Sequence, residues 1–169
     1  MIQIIGAGLI LISSTVIGYS IAAAHKKSER ELTLLIRILE YMYHELQYNL
    51  TPLPELMTKT AKEANGTLAA FFHALAKIMD HMLYEDAAQC IRITLHQYPQ
   101  LPEVVRDNLC LMGANLGRFD LAGQLSGLEA VKHMCIRDLE GLAHNRDERL
   151  RSYRTLAICA GVAIIILLI

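Results

Sequence analysis

The chain has 169 residues, of which 53% are hydrophobic, and its 17 acidic residues nearly balance its 16 basic residues. The formal net charge of -1 provides no overall basic field, and the chain contains no Trp and only 3 Phe. Nucleic acid is therefore not expected as a partner. The length fits one ordinary domain better than two.

The charges are confined to the middle of the chain. Residues 1–24 and 155–169 contain no Asp, Glu, Lys or Arg, so all charged side chains lie between His25 and Arg154. About a quarter of the residues in that interval are charged, as in an ordinary soluble domain. We therefore predict three parts: an N-terminal transmembrane helix over 1–24, a cytoplasmic helical bundle over 25–154 and a C-terminal transmembrane helix over 155–169.

The two apolar ends differ in how well they match a bilayer. As a helix, residues 2–24 reach about 34 Å, enough for a hydrocarbon core of about 30 Å. Residues 155–169 reach only about 22 Å, so an interfacial or re-entrant tail is the alternative there. Small residues four positions apart predict helix faces for close packing within the membrane: Ser14, Gly18, Ala22, Ala157 and Gly161.

Basic residues flank the central part on both sides and predict its orientation. No Lys or Arg precedes the first apolar run, which argues against the alternative of a cleaved signal peptide ending at the small residues 22–24. By the positive-inside rule, both termini face out and the centre is cytoplasmic, which makes a multi-pass membrane protein. The basic residues concerned are Lys26, Lys27, Arg30, Arg146, Arg149, Arg151 and Arg154.

The centre shows the three-and-four apolar spacing of amphipathic helices and no alternating run, which predicts an all-α, antiparallel bundle of about six helices. The first stripe runs from Leu32 to Leu50, and Thr51, Thr67 and Asp120 are expected N-caps. The sixth helix starts after Asp120 and continues unbroken into the second apolar run. Turn residues predict helices over 28–50, 52–65, 67–83, 85–98, 102–117 and from 120 onwards.

No residue pattern points to catalysis, a cofactor or a metal. The four cysteines form no C-x-x-C pair, and the Glu/His pairs stand at i,i+4 where di-iron bundles use i,i+3. There is no phosphate-binding glycine loop, and residues 123–127 lack the spacing of a nucleophile elbow. We therefore predict a protein that is not an enzyme, with a membrane-anchored metal- or redox-sensing protein or a signalling adaptor as the alternative.

Two turns are candidate contact sites for a partner. The first joins the fifth and sixth helices, where Gly117 is expected to adopt a left-handed conformation and Asp120 to cap. Its partner-binding candidates are Leu116, Gly117, Arg118, Phe119, Asp120 and Gln124. The second is the turn over residues 45–53. The alternative for both turns is a purely structural role. The first would only connect its two helices compactly, and the second would only fix two helices to each other.

The order of these features resembles the stage III sporulation protein AB family. The shared features are the N-terminal span, a Glu45…Thr51-Pro52-Leu53 turn, the string Leu116-Gly117-x-x-Asp120-x-x-x-Gln124 before the last helix, and the apolar tail. The resemblance covers the whole chain. Through this family it extends to the helical cytoplasmic domains of the F-type platform proteins of type II secretion and type IV pilus systems.

The resemblance implies a subunit of the transenvelope channel complex built between mother cell and forespore in endospore formation. The protein would sit in the mother-cell membrane surrounding the forespore, as a non-enzymatic platform. Its bundle would dock the secretion-type ATPase of the complex, stage III sporulation protein AA. Platform proteins of secretion systems carry two such bundles, so this chain would assemble with other subunits of the complex or as a homo-oligomer.

Overall fold

The computed structural model describes the backbone of residues 2–81, 86–117 and 119–168, and the side chains of residues 23–81, 86–117 and 119–144. These residues form six α-helices and one π-helical turn, with no strand among them, which confirms the all-α class. The elements are α1 (Ile2–His44), the π-helical turn (Glu45–Asn49), α2 (Leu53–Glu63), α3 (Gly66–Asp80), α4 (Ala87–His96), α5 (Glu103–Asn115) and α6 (Leu121–Leu168).

The two long helices, α1 and α6, pack against each other in opposite directions. Lys132 Nζ of α6 lies 3.7 Å from Glu40 Oε1 of α1. Lys27 of α1 bonds to Gln100, just before α5, and Asn108 of α5 bonds to Asp138 of α6, so the later part of α6 lies on the side of the earlier part of α1. The beginning of α1 and the end of α6 therefore leave the bundle at the same end, which we call the proximal end. The opposite end, with the π-helical turn and the α5–α6 connection, is the distal end.

The shorter helices complete the bundle around one apolar core. Helices α2 to α5 pack in chain order, and α5 closes the bundle against both α6 and α1. Tyr98 reaches across from the loop after α4, where its hydroxyl donates to Ala70 O over 3.0 Å. The largest fully buried side chains are Phe71, Phe72, Leu32, Leu35, Leu39, Met42, Leu56, Met57, Leu68, Leu75, Ile91 and Leu109.

A buried amide and a close approach fix α5 on α6. Asn108 is buried, and its Nδ2 donates to Val104 O over 2.8 Å and to Asp138 Oδ2 over 2.7 Å. Nearly two turns from the start of α6, a Cβ on Gly127 would lie only 2.5 Å from Asn115 Cβ. The two backbones approach closely there because glycine has no side chain.

The structure corrects two of the three expected N-caps. Asp120 does cap α6, since its Oδ1 accepts from Gly123 N over 2.9 Å. Thr51 does not cap α2, because its hydroxyl donates to Glu45 and Pro52 takes the cap position. Thr67 lies inside α3, which begins one residue earlier, at Gly66; this glycine has a φ of 61°, which a side chain would disfavour.

The apolar stripe of α1 ends before the predicted residue. Leu32, Leu35, Leu39, Met42 and Leu46 are buried as expected. Leu50, however, is 66% exposed and has a φ of 50°. The wider π-helical turn changes the angular spacing of residues 45–49, so the α-helical period no longer applies there.

Within the part of the chain whose side chains are described, no helix is both long and apolar enough to cross a membrane. The two predicted membrane segments, and with them the three-part domain division, stay predictions. The side chains proposed for packing within the membrane lie outside the described residues: Ser14, Gly18, Ala22, Ala157 and Gly161.

Two glycines of α6 predict opposite effects of the same substitution. Gly127→Ala introduces a Cβ against Asn115, and overpacking of this kind costs about 1–3 kcal/mol. A Cβ on Gly141 meets nothing within 4 Å, so Gly141→Ala gains only helix propensity, about 1 kcal/mol. Chemical denaturation should therefore show a net loss of unfolding free energy for Gly127→Ala and a gain for Gly141→Ala. Equal stability of the two variants would contradict the close α5–α6 contact.

Candidate functional site

The α5–α6 connection is a tightly built corner at the distal end. Leu116 is fully buried and its N–H donates to Met112 O over 3.1 Å, which ends α5. Gly117 follows with a φ of 76°, the left-handed conformation expected for it. At the start of α6, Gln124 Nε2 donates to Phe119 O over 3.0 Å. These contacts bring the chain from α5 into α6 within a few residues.

The corner packs against the beginning of α2, so the two candidate turns are neighbours. A Cβ on Gly117 would lie 3.0 Å from Leu53 Cδ1 and 4.0 Å from Ala87 Cβ. Leu53 is the first residue of α2 and follows the turn over residues 45–52. The sequence marked these two turns separately, and the fold brings them together at the distal end.

A polar network holds the 45–53 turn against α2. Glu45 Oε2 accepts from Thr51 Oγ1 over 2.9 Å and from Lys59 Nζ over 3.0 Å. Lys59 Nζ also lies 3.4 Å from Glu55 Oε1. Thr51 is buried and the Glu45 side chain is only 15% exposed, whereas Lys59 is half-buried. The network therefore fixes the π-helical turn to α2, as expected if the turn over residues 45–53 has a structural role.

The same contacts perturb the two charged groups of the network. The hydrogen bonds from Lys59 and then Thr51 hold the pKa of the Glu45 carboxyl below its usual range. The hydrogen bond to Glu45 raises the pKa of the Lys59 ammonium. Both shifts favour the charged forms, so the network stays ionised around neutral pH.

Large apolar side chains are exposed beside this network. Tyr48 is 73% exposed and Leu50 is 66% exposed on the π-helical turn and the residue after it, and the Tyr48 ring stacks on His44 at 6.0 Å. On the corner, Phe119 is 54% and Leu121 is 38% exposed. We call these four residues, Tyr48, Leu50, Phe119 and Leu121, the distal patch.

The predicted contact residues divide by position. Leu116 is buried, and Gly117, Asp120 and Gln124 form the turn, the cap and a hydrogen bond to the turn, so these four position the corner. Phe119 is the one described candidate with a large exposed apolar side chain, and Arg118 lies outside the described residues. Tyr48 lies in the second candidate turn and is exposed, whereas Leu50 of the same turn was predicted as core by helical periodicity and is also exposed.

The cysteine and histidine set forms no cluster in the described part of the chain. Cys90 and Cys135 are buried and Cys110 is exposed, all as free thiols, while Cys159 lies outside the described side chains. Burial raises the pKa of the Cys135 thiol to about 12. No three His, Cys, Asp or Glu residues among those described are grouped as metal ligands.

The Glu45 network predicts a stability difference that depends on pH. Because the folded-state pKa of Glu45 is lowered, its contribution is present above its unfolded pKa and is lost as the pH falls through the folded value. Glu45→Gln should therefore lower Tm at about pH 7, and the difference should shrink in acid and vanish once the pH has fallen below the lowered folded-state pKa of the wild-type carboxyl. Thermal melting by circular dichroism over a series of pH values from neutral into the acid range measures this. A Tm difference that persists unchanged in acid would rule out a charge-dependent network.

Comparisons with known proteins agree on one family. The family model described as stage III sporulation protein AB matches residues 3–169. A solved structure titled stage III sporulation protein AB superposes with a TM-score of 0.64 at 18% sequence identity, covering 72% of this chain and 98% of that one, which shows a shared fold. No curated protein sequence matches the chain significantly. With nearly all of its residues matched by the family model, this chain belongs to the stage III sporulation protein AB family, a family of sporulation proteins.

Proposed function

We propose that this chain is a non-enzymatic membrane platform subunit of the secretion-like transenvelope channel complex of endospore formation. Its bundle docks the secretion-type ATPase of that complex, stage III sporulation protein AA, through the distal patch. Family membership supports a role in sporulation. The observation that supports docking is the exposure of four large apolar side chains at one end of the bundle.

The antiparallel pairing of α1 and α6 supports this arrangement. Because both helices leave at the proximal end, the two apolar runs and the basic residues beside them are on the same side of the bundle. A bilayer at that side would anchor both helices and leave the distal patch facing the cytoplasm. The protein would then lie in the mother-cell membrane around the forespore.

The distal patch has the composition of a protein contact and a rigid support. Aromatic and large aliphatic side chains dominate the energy of protein interfaces. The Thr51–Glu45 hydrogen bond closes the segment that carries Tyr48 and Leu50, and the Asp120 cap stands between Phe119 and Leu121 in the chain. A preformed surface loses little conformational entropy when a partner binds. Assembly with other channel subunits or as a homo-oligomer would multiply the number of such surfaces in one platform.

Single charges in the distal patch test ATPase docking. Leu50→Asp and Phe119→Asp should each lower capture of the ATPase from sporulating cells by about tenfold or more, because a buried charge replaces an apolar contact. Leu111→Asp is the matched control, since Leu111 is 43% exposed on α5 outside the patch. Capture is quantified by co-purification with the full-length chain in detergent.

The outcome also separates a contact role from a structural one. Asp120→Ala removes a helix cap and should cost about 1 kcal/mol of stability without a further loss of capture. If both patch variants capture the ATPase as well as Leu111→Asp does, the distal patch is not the docking surface.

Reporter fusions test the membrane arrangement. Fusions at Lys26 and at Arg149 should report the cytoplasmic side, because these positions belong to the basic flanks of the central part. A fusion after Ile169 should report the outer face when the second apolar run spans the bilayer, and the cytoplasmic side when it is an interfacial or re-entrant tail. An external signal at Lys26 or Arg149 would overturn the proposed orientation.

A further inference from the structure

A second site lies at the proximal end, far from the distal patch. Residues 26–34 of α1, which follow the apolar run, and the start of α3 line an open cavity of about 390 Å³. Its polar lining combines three basic side chains, one acidic side chain and the N-terminus of a helix. The lining residues are Lys26, Lys27, Arg30, Glu31, Leu34, Asn65, Gly66 and Thr67.

One part of this cavity is suited to an anion. Lys26 and Arg30 are exposed at its mouth, and Lys27 Nζ is held by a 2.7 Å hydrogen bond to Gln100 O. The 15-residue helix α3 begins at the opposite wall, where the Asn65 side chain makes no capping hydrogen bond. Uncapped N–H groups and the helix dipole favour a phosphate at such a position.

A buried carboxylate in the same cavity calls for a cation. Glu31 is 9% exposed, and its Oε2 is fully buried with no hydrogen-bond partner among the described residues. A carboxylate oxygen that is buried without a partner is unfavourable, since it has lost its hydration. A phosphate alone would add a second negative charge and leave Glu31 unsatisfied.

A ligand that carries a phosphate and a primary ammonium satisfies both sets of groups. We propose that this cavity binds the phosphoethanolamine headgroup of a membrane phospholipid, with the phosphate at Lys26, Arg30 and the start of α3 and the ammonium at Glu31. The lipid source rests on the membrane attachment proposed above, because that attachment puts the cavity at headgroup level. A choline headgroup has no N–H to donate, so Glu31 distinguishes the two lipids.

Soluble headgroup analogues test the chemistry of the cavity. Titration of glycerophosphoethanolamine into the full chain in lipid-free detergent, followed by calorimetry, should show saturable binding. Glycerophosphocholine, inorganic phosphate and ethanolamine should each bind about tenfold more weakly, because each satisfies only part of the site. Equal binding of inorganic phosphate and glycerophosphoethanolamine would overturn the proposal in favour of a plain anion site.

Variants that each remove one charge test whether the headgroup analogue binds in this cavity. Glu31→Gln should lower the affinity for glycerophosphoethanolamine about tenfold. Glu129→Gln, which removes the same charge from an exposed position on α6, should leave the affinity unchanged. Without ligand, Glu31→Gln should melt no lower than wild type, because it removes a charge from a buried side chain whose Oε2 has no partner among the described residues. Arg30→Gln provides a surface variant that weakens binding without touching the core. Unchanged binding in both Glu31→Gln and Arg30→Gln would exclude this cavity.

Bilayers of defined composition identify the source of the ligand. In nanodiscs, phosphatidylethanolamine should raise the Tm of the wild-type chain relative to phosphatidylcholine, and Glu31→Gln should abolish the difference. A chain that inserts with the proposed orientation but melts equally in both lipids contradicts this inference and leaves the platform function intact. A chain that binds the soluble analogue but does not insert contradicts membrane attachment and the lipid source.

Discussion

The antiparallel contact between α1 and α6 determines where every other part of this protein lies. Two helices of 43 and 48 residues pair within the bundle and leave it at the same end. The four shorter helices pack in chain order and join this pair through α2 and α5, so that all six share one core. As a result, the molecule has two chemically different ends, one next to the basic and apolar flanks and one with exposed apolar side chains. A parallel pairing would have sent the two apolar runs in opposite directions.

The distal end combines rigidity with exposed apolar surface. The Glu45 network ties the π-helical turn to α2, and Gly117 allows the α5–α6 corner to approach Leu53 at van der Waals distance. Hydrogen bonds made by Glu45, Asp120 and Gln124 thus hold the two turns at this end in place. The large apolar side chains that remain outside, such as Tyr48 and Phe119, are not needed for the core, which is what a docking surface requires.

The proximal end has a different chemistry. Basic side chains and the start of α3 surround a cavity that also holds the buried Glu31 carboxylate. Mixed charges of this kind suit a zwitterion better than a simple anion. A headgroup bound there would contact both α1 and α3 and would fix the bundle relative to the bilayer, so the platform would present its distal patch in a constant orientation.

The sequence by itself determined the helical class, the membrane-like flanks, the family and most of the core. Apolar spacing is a local property, so Leu35, Phe71 and Leu109 could be recognised as buried from the sequence. The Asp120 cap and the left-handed Gly117 were equally predictable, because both depend on neighbouring residues alone. Only the tertiary structure decided which turns meet, that Leu50 faces outwards after a π-helical turn, and that Glu31 is buried beside Lys27 and α3. These features depend on contacts between residues far apart in the chain, which a helical period cannot encode.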